Sequence, residues 1–281
     1  MSDILNRTTG FDLRDHRAMV SLGPLTNRKH CTYSCPFCYV NSHFASYPKL
    51  SQSDIISWLR SLPTESYDVI YVSGDTDSFA PPRTQAGLNL LFELTKLNKD
   101  ILFTTRMVFS KEQTRQLKSL AMECKKRRIL LFGCVSIAQL HHPHLEPHPI
   151  AIPVKRANQL KVFKELGIIS ILAMRPFLPI VTPSEHKEIL ELCKDSIDIV
   201  LGESWYMDEE GELEKKVLKS NSRVTKYTHE QMPFDNNNAS WRVYHGLQSQ
   251  EVCKQWSDTT GIPFFMRSRP AIEWARRSRI Y

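Results

Sequence analysis

The stretch Cys31-Thr32-Tyr33-Ser34-Cys35-Pro36-Phe37-Cys38-Tyr39 carries three cysteines, separated by three and by two intervening residues. Three thiolates this close in the chain can converge on one metal centre. A closed structural zinc site takes four protein ligands, and because no second C-x-x-C or C-x-x-H pair stands nearby, His30 is the only local candidate for a fourth. In a four-iron cluster, three cysteines leave one iron with an open position, where a substrate or cofactor can bind.

On both sides of this loop, strand-like and helix-like segments alternate through the first two hundred residues. Short β-rich or apolar runs recur, and a helical stretch separates each run from the next. Such units, wound in one sense, predict an α/β fold with parallel strands, and six units are too few to close an eight-stranded barrel. The six runs are residues 18–22, 68–72, 101–105, 129–137, 168–173 and 197–201.

After Gly202 the alternation stops. Residues 208–212 form a turn, the asparagine run 236–238 is a loop, and residues 247–256 are typical of a helix. We therefore expect an N-terminal segment (1–17), a partial barrel (18–202) and a C-terminal extension (203–281) that packs on the barrel and shapes the substrate site.

The composition places limits on the class of protein. A chain of 281 residues that is 41% hydrophobic can form one domain with a sizeable core. It has no run of 18 apolar residues, and its N-terminus lacks the basic and apolar regions of a signal peptide. Seven cysteines in a chain of this size do not suggest a disulfide framework and suit a reducing cytosol. We expect a soluble, cytoplasmic protein without a membrane partner.

The charge is basic and unevenly placed. A formal charge of +7 would favour an anionic partner, since clustered Lys and Arg attract phosphates. One basic stretch lies within residues 215–226, and another comprises the C-terminal arginines between 267 and 279. Three tryptophans of the extension, Trp241, Trp256 and Trp274, could serve as stacking platforms for bases. The alternative is a solvated face with no ligand.

The cysteine spacing, with the aromatic Phe37 just before the last cysteine, resembles the cluster loop of the radical S-adenosylmethionine (radical SAM) enzymes. Further along, residues 74–82 are similar to the G-x-x-T-D-P-Y-Q-P string of the subgroup related to spore photoproduct lyase. Leu145-Glu146-Pro147 followed by Arg156, and Pro176-Phe177-Leu178-Pro179, are also similar to that subgroup. The resemblance covers roughly residues 18–202 and implies a partial (β/α)6 TIM-type barrel.

The resemblance also implies roles for particular residues. The cluster ligands would be Cys31, Cys35 and Cys38. Ser73-Gly74-Asp75 would meet the amino group of the methionine portion of S-adenosylmethionine, with Asp75 in place of the more usual Glu. Either Arg156 or Arg106 would meet the carboxylate of the cofactor. The other cofactor-binding residues would be Phe37, Ser136 at the ribose, and Phe177 and Leu178 near the adenine.

The implied activity is radical chemistry of a lyase or transferase type. A [4Fe–4S] cluster would chelate S-adenosylmethionine through its open iron and cleave it reductively to a 5′-deoxyadenosyl radical, which abstracts hydrogen from a substrate. An electron donor such as flavodoxin or ferredoxin would be the partner. The substrate is a small metabolite, a peptide or a nucleic acid, and its identity and the catalytic residues are not fixed by the sequence.

One departure from the subgroup bears on the reaction. Spore photoproduct lyase has a hydrogen-donating cysteine in the turn after the second strand, and this chain has none between Val69 and Pro82. We therefore do not expect repair of a DNA photoproduct by that route.

A histidine-rich loop, residues 141–148, is the other conspicuous feature. Its four histidines and one glutamate could bind a second metal, but the prolines prevent the helical spacing that makes such ligands converge. It could instead line the mouth of the substrate site, with one histidine exchanging a proton.

A different class of function also fits the cysteines. The chain could be a non-catalytic nucleic-acid-binding protein with a structural zinc at Cys31, Cys35, Cys38 and His30. Zinc would leave the protein colourless, whereas an iron–sulfur cluster would make it brown.

Overall fold

The structure is a computed structural model that describes residues 11–22, 31–40, 50–74, 76–219, 223–231 and 240–278. Within these residues, the strands are β1 (Phe11–Arg14), β2 (Arg17–Val20), β3 (Val69–Val72), β4 (Asp100–Thr105), β5 (Leu131–Ser136), β6 (Ile169–Met174), β7 (Ile199–Gly202), β8 (Trp205–Met207), β9 (Thr228–Gln231), β10 (Ser240–Tyr244) and β11 (Phe264–Phe265). The helices are α1 (Gln52–Ser61), α2 (Thr84–Thr95), α3 (Lys111–Arg127), α4 (Pro153–Glu165), α5 (Pro183–Cys193), α6 (Glu212–Leu218), α7 (Leu247–Thr260) and α8 (Ser268–Ser278).

The main sheet has the strand order β1-β2-β3-β4-β5-β6-β7-β11. Only β1 pairs antiparallel, and every other pairing in this sheet is parallel. Its two edge strands are not paired with each other in the described part of the chain, so the sheet stays an open, partial barrel. The predicted α/β class and the six predicted parallel strands are confirmed. A small sheet, β8-β10-β9, lies outside it.

Two strands of the main sheet were not predicted. β1 lies in the predicted N-terminal segment, and β11 lies in the predicted extension but pairs in parallel with β7, Phe264 with Val200 and Phe265 with Leu201. A strand of two residues has no periodicity of its own, so only its tertiary pairing defines it. The extension thus supplies a seventh parallel strand, and the predicted domain boundaries stay a prediction.

The outer face of the sheet is covered by α1 to α5 and α7. Alternate strand residues such as Ile70, Phe103 and Val135 point to this side and form one continuous apolar core with these helices. A close approach of α4 depends on Gly133, because a Cβ at this position would lie 2.5 Å from the ring of Phe163. Any larger residue there would force the helix away from the sheet.

The inner face is covered by α8 alone among the described helices. Side chains such as Tyr71 and Phe132 alternate to this side and pack with Ala271, Ile272 and Ala275 of the helix. Because α8 lies at the end of the sheet where the strands begin, it closes the floor of the partial barrel and leaves the opposite end for a site.

The polar side of α8 is tied to the same end of the sheet. Arg269 and Arg276 both bond the carboxylate of Asp68, at 2.6 and 2.5 Å, and Arg276 also bonds Asp100 at 2.8 Å. These two arginines therefore hold the helix in place. The interpretation of the C-terminal arginines as an anion-binding segment is wrong for this pair, because acidic partners within the fold engage them.

The described part of the chain has no helix that is long and apolar enough to cross a membrane.

Replacing Ile272 by Ala tests whether α8 is part of the core. Ile272 is fully buried against the inner face, so the free energy of unfolding should fall by about 2–5 kcal/mol. Met122→Ala, at a helix position that is 65% exposed, should change it by less than about 0.5 kcal/mol. Denaturant titration of both variants measures the difference. Equal, small effects would mean that α8 does not pack on the sheet.

Candidate functional site

A cavity of about 880 Å³, part of it open to solvent, lies at the edge of the main sheet where its parallel strands end. Each strand from β3 to β7 contributes a residue at or just after its carboxyl end. These residues are Ser73, Thr105, Ser136, Arg175 and Glu203. In parallel sheets this edge is where ligands usually bind, since loops and side chains from several strands meet there.

All three cysteines of the first loop line this cavity. Cys31 and Cys35 are buried and Cys38 is half-buried, and a turn joins them, with the Cys38 amide donating to the Cys35 carbonyl at 3.0 Å. Burial raises the pKa of the Cys35 thiol to about 12, whereas the charge of Arg106 acts in the opposite direction. Burial and the nearby Asp77 carboxylate raise the pKa of the Cys31 thiol, whereas the backbone of Asp77 and of Tyr33 acts in the opposite direction.

The donor set fits an iron–sulfur cluster. Thiolates are the usual ligands of such clusters, and three of them share one wall of the cavity. The described residues contain no group of three His, Cys, Asp or Glu side chains placed to hold a single metal ion. One zinc ion needs every sulfur within about 2.3 Å. In a cluster each cysteine binds a different iron, so its sulfurs can stand further apart.

Ser73 and Gly74 also line the cavity, directly after β3. Ser73 has a φ of 67°, in the left-handed region that non-glycine residues rarely adopt, and its hydroxyl accepts from the Ser78 amide at 3.0 Å. This turn therefore places Ser73 and Gly74 at the cavity wall. Asp75, the third residue of this predicted motif, lies outside the described residues.

Asp77 holds this turn to the neighbouring strand. Its carboxylate accepts from the amides of Phe79 (2.9 Å) and Arg106 (2.7 Å) and from the hydroxyl of Thr105 (3.0 Å). Burial raises the pKa of Asp77, and these donors act in the opposite direction. Asp77 was not among the predicted site residues, although it belongs to the Thr-Asp pair of the string that resembles the lyase subgroup.

Arg106 lines the cavity and Arg156 does not. Arg156 is completely buried, and its guanidinium donates to the carboxylate of Glu146 and to the backbone carbonyl of Ser136. The role predicted for Arg156 at the cofactor's carboxylate stays untested, but the alternative residue, Arg106, is the one with access to the cavity.

The remaining predicted cofactor residues divide into two groups. Phe37 and Ser136 line the cavity. Phe177 and Leu178 are fully buried and are absent from its wall, where Arg175 and Pro176 stand instead. The Phe177 ring occupies space left by Gly202 and Gly246, at which a Cβ would lie 2.7 and 2.6 Å from that side chain.

Several lining residues were not predicted. Tyr71 and Thr104 face the cavity from within the barrel and their hydroxyls lie 3.2 Å apart, and Arg175 donates to Tyr71 at 3.4 Å. The alternation of side chains along β3 and β4 could have identified the first two, since both are polar on an otherwise apolar inner face. Residues 203–206 complete the wall, and the Trp205 indole donates to the Phe37 carbonyl at 3.0 Å.

The histidine loop lies away from the cavity. His141 bonds Glu188 at 2.8 Å, His142 lies 3.2 Å from Glu185, and no residue of 141–148 is among those that line the cavity. The hydrogen bond with Glu188 raises the pKa of His141. α5 engages His141 and His142, and His144 lies 3.3 Å from the Val217 carbonyl of α6. The expectation that this loop lines the substrate mouth is wrong for this cavity, because none of its residues reaches the lining.

Two of the three tryptophans predicted as stacking platforms are not placed for stacking on bases. Trp241 and Trp256 are buried, the latter donating to Glu191 at 2.7 Å, and Trp274 packs at the core that α8 forms with the sheet. The expectation of an aromatic platform is therefore wrong for Trp241 and Trp256, and for the half-buried Trp274 it stays a prediction.

No sequence-family profile matches this chain, and a search of curated protein sequences gave no match. Solved structures do match. Two structures of spore photoproduct lyase variants superpose with TM-scores of 0.68 and 0.66, at 12% identity, over 94% of this chain and 81% of theirs. One of them holds S-adenosylmethionine and a dinucleoside spore photoproduct.

Two further structures match with lower scores. SuiB from Streptococcus suis, bound to S-adenosylmethionine, gives a TM-score of 0.56 at 16% identity, over 90% of this chain and 50% of that one. The radical SAM methyltransferase TsrM from Kitasatospora setae gives 0.54 at 11% identity, over 85% and 51%. This chain therefore has the fold found in radical SAM enzymes, the family that its cysteine spacing resembles.

Proposed function

We propose that this protein is a radical SAM enzyme. The observation that supports it most is the meeting of Cys31, Cys35 and Cys38 with Ser73-Gly74 in one cavity at the carboxyl ends of the parallel strands. Three cysteines suit a [4Fe–4S] cluster with one open iron. When bound, the cluster and S-adenosylmethionine would supply one-electron cleavage to a 5′-deoxyadenosyl radical that abstracts hydrogen from a substrate.

In this proposal the chain's own residues bind and orient the cofactors. The backbone of Ser73 and Gly74, which line the cavity after β3, receives the amino group of S-adenosylmethionine together with Asp75, and Ser136 meets the ribose. The guanidinium of Arg106, which lines the cavity, takes the carboxylate in preference to Arg156, which is engaged by Glu146. Trp205 and Tyr206 cover the cysteine loop from the extension and help to exclude water and oxygen.

The substrate is not identified by this proposal. The polar layer of Tyr71, Thr104 and Arg175 inside the barrel is where substrate groups would be recognised. A small metabolite or a peptide side chain suits this enclosed position. A reducing cytoplasm, with a flavodoxin or ferredoxin as electron donor, suits a structure whose described cysteines form no disulfide bond.

The first experiment is anaerobic reconstitution with iron and sulfide, followed by dithionite and S-adenosylmethionine. Formation of 5′-deoxyadenosine, detected by chromatography, is the expected result. A protein that stays colourless and binds zinc instead of iron would favour the structural zinc site, and the proposal would fail.

Cys35→Ser should abolish both the bound cluster and 5′-deoxyadenosine formation, because one iron loses its ligand on the cavity wall. The matched control is Cys124→Ser, since Cys124 is also buried and free but belongs to the core beneath α3. Iron content, visible absorption and product yield are measured together. A Cys35→Ser protein that retained cofactor cleavage would show that the ligands are assigned wrongly.

Two substitutions of Ser73 separate its backbone from its side chain. Both Ser73→Gly and Ser73→Val lose the hydroxyl that accepts from Ser78, but only valine is strained at a φ of 67°. Strain of about 1–3 kcal/mol should distort the turn in the valine variant. Its affinity for S-adenosylmethionine should fall at least about tenfold below that of the glycine variant. Equilibrium binding of S-adenosylmethionine to the two reconstituted proteins measures the difference in affinity. Equal affinities would show that the turn after β3 is not part of the cofactor site.

A further inference from the structure

A buried cluster of three charged side chains adjoins the cysteine wall. Glu146 accepts from Arg156 at 2.7 Å and from Arg106 at 3.1 Å, and its second oxygen accepts from Gln139 at 3.0 Å. These contacts join the end of β4, the loop before α4 and α4 itself. Both oxygens of the carboxylate are therefore fixed from different elements.

This cluster contains two positive charges and one negative charge. Guanidinium groups stay protonated in proteins, so Arg106 and Arg156 both carry a full charge. Burial opposes ionisation of Glu146, but the Arg156 guanidinium overcomes it and holds the pKa of Glu146 below its usual range. Asp77 is the other acid in contact, through the Arg106 backbone amide. Taken by themselves, the side chains of Arg106, Arg156 and Glu146 carry one more positive than negative charge.

The excess charge is directed at the cysteine loop. Arg156 is completely buried, whereas Arg106 reaches the cavity. The guanidinium carbon of Arg106 lies 5.5 Å from the centre of the ring of Phe37, and Phe37 stands between Cys35 and Cys38 in the chain. A further donation, from Arg106 to the Arg175 carbonyl at 3.3 Å, fixes the group from the opposite side. A charge held this rigidly in a poorly solvated wall acts strongly on its neighbours.

We infer that Arg106 sets the reduction potential of the cluster that these cysteines would hold. Taking up one electron from a low-potential donor adds one negative charge to the cluster and breaks no bond in the protein. The fixed positive charge of Arg106 stabilises that added charge, because charge and hydrogen bonds around a cluster govern its potential. Glu146 positions Arg106 for this role. The inference rests on the proposed function, since it requires the cluster.

The test is a redox titration of the reconstituted protein with dithionite, followed by electron paramagnetic resonance, without S-adenosylmethionine. Omitting the cofactor separates this role from any contact of Arg106 with its carboxylate. In Arg106→Gln, Glu146 and Arg156 remain as an ion pair with no net charge, so the fold should tolerate the substitution. The equilibrium constant for reduction should fall at least tenfold, which corresponds to about 59 mV for one electron.

Two further variants make the result specific to charge. Arg106→Lys keeps the positive charge and should restore most of the potential. Arg115→Gln removes an arginine whose side chain is 74% exposed on α3 and should leave the potential unchanged. A lowered potential in Arg106→Gln that lysine restores, with no change in Arg115→Gln, supports the inference.

The outcomes separate this inference from the proposal beneath it. An intact cluster with an unchanged potential in Arg106→Gln would overturn the inference alone. Loss of the cluster in both Arg106 variants would also overturn it, because the residue would then matter for shape and not for charge. Failure of the unaltered protein to take up a cluster would instead overturn the proposed function.

Discussion

The parallel register of β2 to β7 is the constraint on which the candidate site depends. Parallel pairing brings the carboxyl ends of successive strands to one edge, so that Ser73, Arg106, Ser136 and Arg175 meet although about a hundred residues separate the first from the last. The register also assigns each side chain to a face. A slip of one residue would move the apolar side chains of the outer core to the inner face and is therefore unfavourable. The packing of the outer face thus keeps Tyr71 on the inner face, at the cavity.

Buried carboxylates then fix the loops above that edge. Asp77 holds the turn after β3 to the end of β4, and Glu146 holds the loop before α4 to the same strand end. Glu185 at the start of α5 accepts from the amides of Leu140 and His141, at 2.6 and 3.0 Å. Each carboxylate belongs to one segment and bonds another, so the loops around the cavity are held rigidly, and Asp77 does this from within the cavity wall itself.

Much of the fold and part of the site could be predicted from the sequence, because strand runs and the cysteine spacing are local patterns. The contacts that the sequence does not reveal are non-local. Arg156 looks in the sequence like a ligand residue, yet in the structure its guanidinium is engaged by Glu146 inside the protein. Phe177 was assigned to the adenine, but two distant glycines make room for its ring in the core. The basic C-terminal helix pairs with Asp68, more than two hundred residues away, and no composition argument reveals that pairing.

The position of β11 and α8 late in the chain has a consequence for biosynthesis. β11 and α8 are synthesised after all the other strands of the main sheet. Until then the inner face, which α8 covers, and the edge of β7, which β11 pairs with, are both exposed in the nascent protein. Exposed apolar surface and an unpaired strand edge are the features that invite association between chains. Until residues 264–278 dock, the growing chain exposes both features, and its tendency to associate during synthesis depends on how quickly β11 and α8 are made.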